Sequence, residues 1–383
     1  MNKDFFVRFK GLTIIGIVSI VSAGISGIFW LYLASLVGTE HYGEISYYLA
    51  IAGIAIVISF LGAGNVLIVY TAKELKIQPS IYFIVIILSI IAAIALFFII
   101  WNVYSSIFVI GNILFGLVTS ELLGAKLYKK WAILQISQKI IMVPLSISLY
   151  YVLGVNGVIL GMALSFFPLT VIHVVNVFKE RKIDFSLLRS KTGFVTNSYA
   201  MDLARALSSS ADKIIVTPLF GFAILGNYHL GLQILSLLGI MPGVLYQYIL
   251  PHDATGIKNK KLKTLAVIIS FVFAVLSFIL APIIIPILFP KFTEAVQVIQ
   301  VLSFYIIPAT INLIFISEFL ANEKSRIVLI GSVVFVTVQI SMILILGKIF
   351  GINGVAAALV IAGIAEMTYL ISIHLHKKRT QAI

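Results

Sequence analysis

Cysteine is absent from this chain of 383 residues, and charged residues make up only 11% of it. Without thiols, the chain can form no disulfide framework and no thiolate nucleophile or metal site. A soluble domain carries about 25% charged residues. The sequence also lacks a Ser-rich or Pro-rich linker, a low-complexity tract and a long polar loop. These absences exclude an ordinary soluble domain.

Hydrophobic residues, by contrast, supply 61% of the chain. Apolar runs of about 18 residues or more recur along its whole length, which is the pattern of transmembrane helices. The pattern predicts an all-α integral membrane protein with about twelve spans, at 12–37, 43–69, 80–101, 105–125, 132–153, 155–178, 193–220, 222–250, 264–288, 293–320, 327–347 and 352–374.

Positive charge is distributed unevenly over the connections between these spans. Of the 27 Lys and Arg residues, 22 lie in the two tails or in alternate connections, and only Lys291 and Lys348 lie in the others. Connections rich in Lys and Arg stay in the cytoplasm, so the bias places both termini there, in a multi-pass protein of the cell membrane. Charge confined to short loops also argues against nucleic acid as a partner. The first apolar run has no cleavage motif and should remain as a helix.

Two glycine motifs of the first half recur in the second half, in the same order. Gly38-x4-Gly43 returns 183 residues later, and the Gly-x-Asn-Gly-Val motif at Gly154 returns 197 residues later. Six spans per half is an even number, so the halves should be parallel repeats with a site between them. The sequence predicts two six-helix lobes around a central cavity, at 1–178 and, with a cytoplasmic tail, at 193–383, joined by a basic cytoplasmic loop at 179–192.

The seventh predicted span carries charges that a lipid-facing helix would not. At 100° per residue, its polar side chains fall within an arc of about 100°. They are Ser198, Asp202, Arg205, Ser209, Asp212 and Lys213. A charge at the bilayer centre costs at least about 2.5 kcal/mol, so such residues normally face a bundle interior or a water-filled cavity. We interpret this helix as the wall of a polar cavity. Alternatively, Asp202 and Arg205 neutralise each other where helices pack.

Three stretches carry a family resemblance: LASLVGTEHYGEISYYLAIAGI at 33–54, ADKIIVTPLFGFAILGNYHLGLQI at 211–234 and LFPKFTEAVQVIQVLSFYIIP at 288–308. They are similar to segments of the polysaccharide-biosynthesis flippases, which move O-antigen and other lipid-linked oligosaccharides. That family belongs to the multidrug/oligosaccharidyl-lipid/polysaccharide exporter superfamily. The resemblance covers essentially the whole chain. Many such flippases have two further C-terminal helices, and drug-extruding relatives often have an acidic residue in the first helix, which 12–37 lacks.

The resemblance implies a cargo with an isoprenoid phosphate or diphosphate and a glycan. Cations on a cavity wall would offset the lost hydration of the phosphates. Arg205, near the middle of its span, is the first candidate because it can bind phosphate bidentately. Lys213 could receive the headgroup later, or it could snorkel to the external interface. Asp202 and Asp212 could hold these cations when the cavity is empty, or bind a proton or Na⁺.

Other charged residues within spans have two interpretations each. Lys139 could snorkel or admit cargo, and Glu366 could line the cavity or pair with a cation. Glu121 and Glu318 lie near span ends and are expected to form interfacial pairs beside Lys126 and Lys324. Single histidines within spans are expected to pack with hydrogen bonds; they are His173 and His229.

These observations leave three functions open. The first is a flippase that moves a lipid-linked oligosaccharide or polysaccharide precursor to the outer leaflet by alternating access. The second is a cation-coupled exporter of drugs or other amphiphiles. The third is a membrane glycan polymerase or ligase, which the short external loops and the lack of a catalytic motif disfavour. We therefore predict no catalytic residue, no metal site and no cofactor; a coupling ion, Na⁺ or H⁺, has no assigned residue. A monomer is expected, surrounded by membrane lipids, with glycan-assembly enzymes as candidate partners.

Overall fold

The computed structural model describes residues 3–180, 183–185, 192–254, 259–322 and 324–381. Within these ranges the chain is helical, and no strand occurs. The first half contains α1 (Lys3–Phe60), α2 (Ala63–Ala72), α3 (Gln78–Ile100), α4 (Val103–Gly124), α5 (Tyr128–Leu153), α6 (Val155–Leu164) and α7 (Phe167–Glu180). The second half contains α8 (Thr192–Phe220), α9 (Phe222–Leu238), α10 (Ile240–Ala254), α11 (Lys260–Leu288), α12 (Ala295–Ser303), α13 (Ile306–Ala321) and α14 (Ser325–Gln381).

Seven helices of the described ranges are long and apolar enough to cross a membrane, or eight if the bent pair α9 and α10 is one span. Two of them, α1 and α14, are far longer than one crossing needs, and each is kinked at a glycine with positive φ. Every predicted span coincides with a helix, part of a kinked helix, or a pair of short helices. The predicted all-α integral membrane fold class is therefore confirmed.

The kinks fall on the repeated glycines. Gly38 has φ 79° and ψ 179°, and its equivalent Gly221 has φ 82° and ψ 174°. Gly154 has φ 59° and ψ −138°, and Gly351 has φ 59° and ψ −137°. Residues with a Cβ rarely adopt these angles, so glycine is required for the sharp reversal between consecutive spans. The sequence repeat thus corresponds to a repeat in backbone conformation.

The chain forms two compact units. The first comprises Met1–Trp30 and Tyr48–Ala206, and the second comprises Leu31–Tyr47 and Leu207–Ile383. In the first unit, Leu67, Tyr82 and Leu117 are fully buried in one apolar core. In the second, Val216, Tyr228 and Val355 are fully buried in another. The helix junction at Gly38 belongs to the second unit. The lobe boundaries expected from the sequence remain a prediction.

Large apolar side chains cover much of the exterior. Ile99, Val152 and Ile287 each expose more than two thirds of their surface. In water such exposure would favour aggregation, whereas in a bilayer these side chains contact lipid tails. Two tryptophans near helix ends differ in exposure, since Trp101 is 74% exposed and Trp131 is buried. Of these two, Trp101 is the one that can contact lipid.

Candidate functional site

The polar residues of α8 do not share one environment. Asp212 is buried, Lys213 is half-buried and Ser209 is exposed. Asp202 is half-buried and lies in the part of α8 that belongs to the first unit. The side chain of Arg205 lies outside the described part of the structure. The expected pairing of Asp202 with Arg205 therefore remains a prediction.

Asp212 is the most enclosed charged residue of α8. Its Oδ2 accepts a hydrogen bond of 2.9 Å from the hydroxyl of Tyr228 on α9, and Tyr228 is itself fully buried. Its Oδ1 accepts a bond of 2.8 Å from the backbone N–H of Lys213 and lies 3.4 Å from the Lys213 ammonium. A buried carboxylate needs such donors, because burial without them is strongly unfavourable. Tyr228 thus fixes the position of Asp212 between two helices.

The side chain of Lys213 points back along its helix, toward the preceding helical turn. Its Nζ donates a hydrogen bond of 2.5 Å to the carbonyl oxygen of Ser209, four residues earlier. The side chain is 15% exposed. A snorkelling side chain would instead extend toward the C-terminal end of α8, where the sequence predicts the external interface. The Lys213 ammonium therefore lies alongside α8, where it is paired with Asp212.

Glu366 lies in a second polar cluster of the same unit. It is 8% exposed, and its Oε2 accepts a hydrogen bond of 3.0 Å from Nδ2 of Asn312 on α13. The same Nδ2 also donates to the backbone carbonyl of Gly363, at 3.1 Å. The other amide atom of Asn312, Oδ1, is buried and has no hydrogen-bond partner among the described residues. The cluster therefore contains one buried oxygen, Oδ1 of Asn312, that can accept a hydrogen bond or a cation beside the Glu366 carboxylate.

Tyr305 lies near both clusters. Its ring packs on Gly363, where a Cβ would lie 2.7 Å from Tyr305 Cε2. Asp212, Tyr228 and Glu366 are buried and Tyr305 is half-buried, and together they form a polar series in the second unit. Of these, the sequence predicted only the two carboxylates. The signal that could have revealed the tyrosines is a hydroxyl within an apolar span, which needs a polar partner.

Two predictions concern polar residues of the first unit. Lys139 is half-buried on α5, and the adjacent Gln138 donates a hydrogen bond of 2.8 Å to Ser165. Lys139 belongs to a different unit from Lys213 and Glu366. Glu121 is buried, and its Oε2 accepts a bond of 2.8 Å from the Tyr82 hydroxyl. The interfacial pair expected for Glu121 beside Lys126 remains a prediction; the structure places the Glu121 carboxylate against Tyr82, because α3 packs against α4.

Comparison with solved structures gives the fold. The structure titled lipid II flippase MurJ, inward closed conformation, has a TM-score of 0.73 at 15% identity, covering 94% of this chain and 87% of that chain. An inward-facing multidrug resistance MATE family transporter of the MOP superfamily has a TM-score of 0.67 at 14% identity, covering 97% and 99%. The eukaryotic MATE transporter AtDTX14 has a TM-score of 0.53 at 13% identity, covering 97% and 96%. This chain shares the fold of these three structures.

At these identities the likeness establishes the fold and not the cargo. No protein-family model and no curated protein sequence matches the chain. The MOP fold is shared by a lipid flippase and by multidrug transporters, so the residues of this chain must be considered for what they can bind.

The second unit offers two kinds of chemistry. The Lys213 ammonium can bind an anionic group in place of Asp212. The oxygens of Glu366 and Asn312 suit a hard monovalent cation such as Na⁺, which prefers oxygen ligands, and the Glu366 carboxylate can instead take up a proton. Among the described residues, no group of three or more His, Asp or Glu side chains could hold a metal ion.

Proposed function

We propose that this MOP-fold protein moves a lipid-linked oligosaccharide or polysaccharide precursor across the membrane by alternating access. The cargo would be carried on an isoprenoid phosphate or diphosphate and would pass from the cytoplasmic to the outer leaflet. The observation that carries the proposal is the half-buried ammonium of Lys213, paired with Asp212 on α8, the seventh predicted span. A cation inside a membrane span is energetically costly, and such residues usually have a function.

A phosphate could replace Asp212 as the partner of Lys213. The 3.4 Å between Lys213 Nζ and Asp212 Oδ1 is longer than a strong charge-assisted bond, which is about 2.7–2.9 Å. Asp212 also has the Tyr228 hydroxyl, so it keeps a donor when the ammonium leaves. The exchange therefore leaves no buried charge without a partner. Arg205, Asp202 and Lys139 are proposed to contact the cargo at other points of its path.

A coupling ion, Na⁺ or H⁺, is proposed to bind at Glu366. The unpartnered Oδ1 of Asn312 supports this assignment, because a buried carbonyl oxygen beside a carboxylate is a favourable position for a cation or an acidic proton. Tyr305 lies near both Glu366 and Tyr228. Ion binding at Glu366 is proposed to influence the pairing of Lys213 through this polar series. The proposal includes a plasma-membrane location with both termini in the cytoplasm, and a monomer as the working unit.

Reconstituted proteoliposomes test the proposal directly. A fluorescent polyprenyl-diphosphate oligosaccharide is the cargo, and the fraction that external reductant can bleach reports its transfer between leaflets. Wild type is compared with Lys213→Ala, Lys213→Arg and Arg205→Ala. Lys348→Ala is the matched control, because Lys348 is exposed and lies outside the polar series.

We expect transfer to fall at least about tenfold in Lys213→Ala, since one charge-assisted contact is worth roughly 1.5–3 kcal/mol. Lys213→Arg should retain part of the activity, and Lys348→Ala should match wild type. Equal transfer by Lys213→Ala and wild type would refute the role of this cation. Failure of every protein, wild type included, to move any isoprenoid-diphosphate glycan would refute the cargo class.

Export of drugs or other amphiphiles is the second candidate function. The buried Glu366, with its spare amide oxygen, favours it, because a cation-coupled exporter requires a carboxylate of this kind. Ethidium uptake into inverted vesicles distinguishes the two functions, because export from the cytoplasm becomes uptake when the membrane is inverted. Uptake driven by a Na⁺ or H⁺ gradient, and abolished by Glu366→Gln, would support the exporter. Cargo-specific leaflet transfer without ethidium uptake would support the flippase.

A further inference from the structure

Each half of the chain holds a glutamate against a histidine. Glu121 lies three residues before the end of α4, and Glu318 lies three residues before the end of α13. The two glutamates are 197 residues apart, which is the spacing between Gly154 and Gly351. Each contacts a histidine on the last span of its own half, and these histidines, His173 and His374, are 201 residues apart. The glutamates therefore match the repeat, and the histidines lie about one helical turn from the same register.

The first pair lies inside the first unit. Nε2 of His173 on α7 is 3.1 Å from Oε2 of Glu121. The same oxygen accepts the bond from the Tyr82 hydroxyl on α3, and Glu121 makes further interactions beyond these two. The Glu121 side chain is 7% exposed, whereas that of His173 is 34% exposed. The imidazole is therefore partly exposed, while the carboxylate stays enclosed.

The second pair lies inside the second unit and is more open. Nδ1 of His374 on α14 is 2.9 Å from Oε1 of Glu318. The side chain of Glu318 is 36% exposed, and that of His374 is 17% exposed. The ring of Phe315, one turn before Glu318, packs edge-on against the imidazole with centroids 5.2 Å apart. The sequence placed Glu318 beside Lys324, but the structure gives it a histidine partner from another span.

We propose that each pair is a proton-binding site. When the histidine is charged, the pair strengthens the contact between the fourth and the sixth span of its repeat. A neutral imidazole donates one N–H to the carboxylate. A proton from the adjoining aqueous phase then binds the other ring nitrogen, Nδ1 of His173 or Nε2 of His374, and no bond breaks. The hydrogen bond becomes an ion pair, which is stronger. Histidine is the side chain whose charge ordinarily changes between about pH 5 and pH 8.

Other charged groups at the same helix ends will affect both sites. Tyr82 on α3 faces Glu121 directly. Helices α2, α5 and α7 also pack against α4. Charged residues at these ends, or in the turns beside them, are Lys73, Glu74, Lys76, Lys126, Lys129, Lys130 and Lys179. Helices α10, α11 and α14 pack against α13. The charged or titratable residues described near that end are Lys260, Lys261, Lys263, Lys324, Arg326 and His376. The lysines and Arg326 stay charged over the histidine range, so they add a constant electrostatic potential at the imidazole. The ¹⁵N signal of His376 is followed separately.

The inference is independent of the cargo, and its test needs no transport. Hydrogen–deuterium exchange is measured on the full chain in lipid nanodiscs at pH 8 and pH 5.5, with rates corrected for intrinsic chemistry. The reporting peptides cover the ends of α4 and α13. Separately, the ¹⁵N signals of His173 and His374 report whether each imidazole changes charge over this range.

In wild type, corrected exchange at both helix ends should slow about fivefold at pH 5.5, since a hydrogen bond to a charged donor is roughly twice as strong as a neutral one. Glu121→Gln should abolish this response at the end of α4 and preserve it at the end of α13. Glu318→Gln should do the reverse, so each variant is the control for the other. His173→Gln and His374→Gln should reproduce the two results.

Two results would overturn the inference. One is imidazole signals that stay neutral from pH 8 to pH 5.5. The other is a pH response that survives in both glutamine variants, which would place its origin elsewhere. If Glu121→Gln fails to fold because the residue is buried, Glu318→Gln still decides the matter, because Glu318 is partly exposed.

Discussion

Gly43 and Gly226 each lie against the other's helix junction. A Cβ on Gly43 would overlap the backbone carbonyl of Phe222, and a Cβ on Gly226 would overlap the backbone carbonyl of Thr39. Thr39 and Phe222 each follow the positive-φ glycine of their own junction. The contact is therefore reciprocal, as a two-fold relation between two copies of one motif requires. It lies wholly within the second unit.

This contact predicts that alanine is not tolerated at either glycine. Gly43→Ala and Gly226→Ala should each destabilise the protein by about 1–3 kcal/mol or more, because backbone atoms cannot move aside as a side chain can. Gly24→Ala is the matched control, since a Cβ there has open space. Fluorescence-detected thermal unfolding in detergent measures the difference. Midpoints for Gly43→Ala and Gly24→Ala that agree within error would contradict the reciprocal contact.

The backbone angles at Gly351 predict a loss of stability in Gly351→Ala without any steric clash. No atom lies within 4 Å of a Cβ built on Gly351, so Gly351→Ala introduces no clash. The angles φ 59° and ψ −137° are nevertheless unfavourable for alanine, and we expect a loss of about 1–3 kcal/mol. Gly154→Ala should lose a similar amount, because its angles are the same within a degree. The check is thermal unfolding of both variants beside Gly24→Ala; an unchanged midpoint for either one would show that the kink relaxes.

Gln339 should be replaceable with a gain in stability. It is 1% exposed, and neither its Oε1 nor its Nε2 has a hydrogen-bond partner among the described residues. A buried amide without partners costs about 1–3 kcal/mol, so Gln339→Leu should raise the thermal midpoint. Gln339→Glu, which adds charge at the same site, should lower it. A lower midpoint in Gln339→Leu would mean that the amide has a partner, such as ordered water or cargo.

The bond between Tyr228 and Asp212 can be measured by a double-mutant cycle. Tyr228→Phe leaves the buried carboxylate without its 2.9 Å donor, and it should cost about 1–3 kcal/mol. Asp212→Asn should reduce the cost of removing the hydroxyl, because a neutral amide needs the donor less. The two single variants and the double variant give the coupling free energy. A coupling near zero would show that the two residues act independently.

If the ion at Glu366 is Na⁺, it should stabilise the folded protein by mass action. Replacing choline chloride with NaCl at constant ionic strength should raise the thermal midpoint, and a hundredfold excess over Kd adds about 2.7 kcal/mol. Glu366→Gln should remove this response, and Asn312→Leu should weaken it. Glu294→Gln is the control, because Glu294 is an exposed carboxylate outside the cluster. A sodium response that persists in Glu366→Gln would exclude this residue as the sodium ligand.

The sequence predicted the fold class because the membrane leaves few alternatives. Each apolar run must satisfy its own backbone hydrogen bonds, so each became a helix. The glycine repeat could also be predicted, because a positive φ depends on the local backbone. Gly38 and Gly154 adopt it within their own segments. The sequence likewise singled out Asp212, Lys213 and Glu366, because a charged residue inside an apolar run stands out whatever surrounds it.

Only the tertiary structure decided what these residues contact. Asp212 bonds to Tyr228 and Glu366 to Asn312, and both partners come from other helices. The contact of Glu121 with Tyr82 could not be predicted for the same reason, because burial depends on the helices that pack around the end of α4. Spans and kinks follow from the local chain, but the partners of a buried charge come from other helices, 16 residues away for Asp212 and 54 residues away for Glu366.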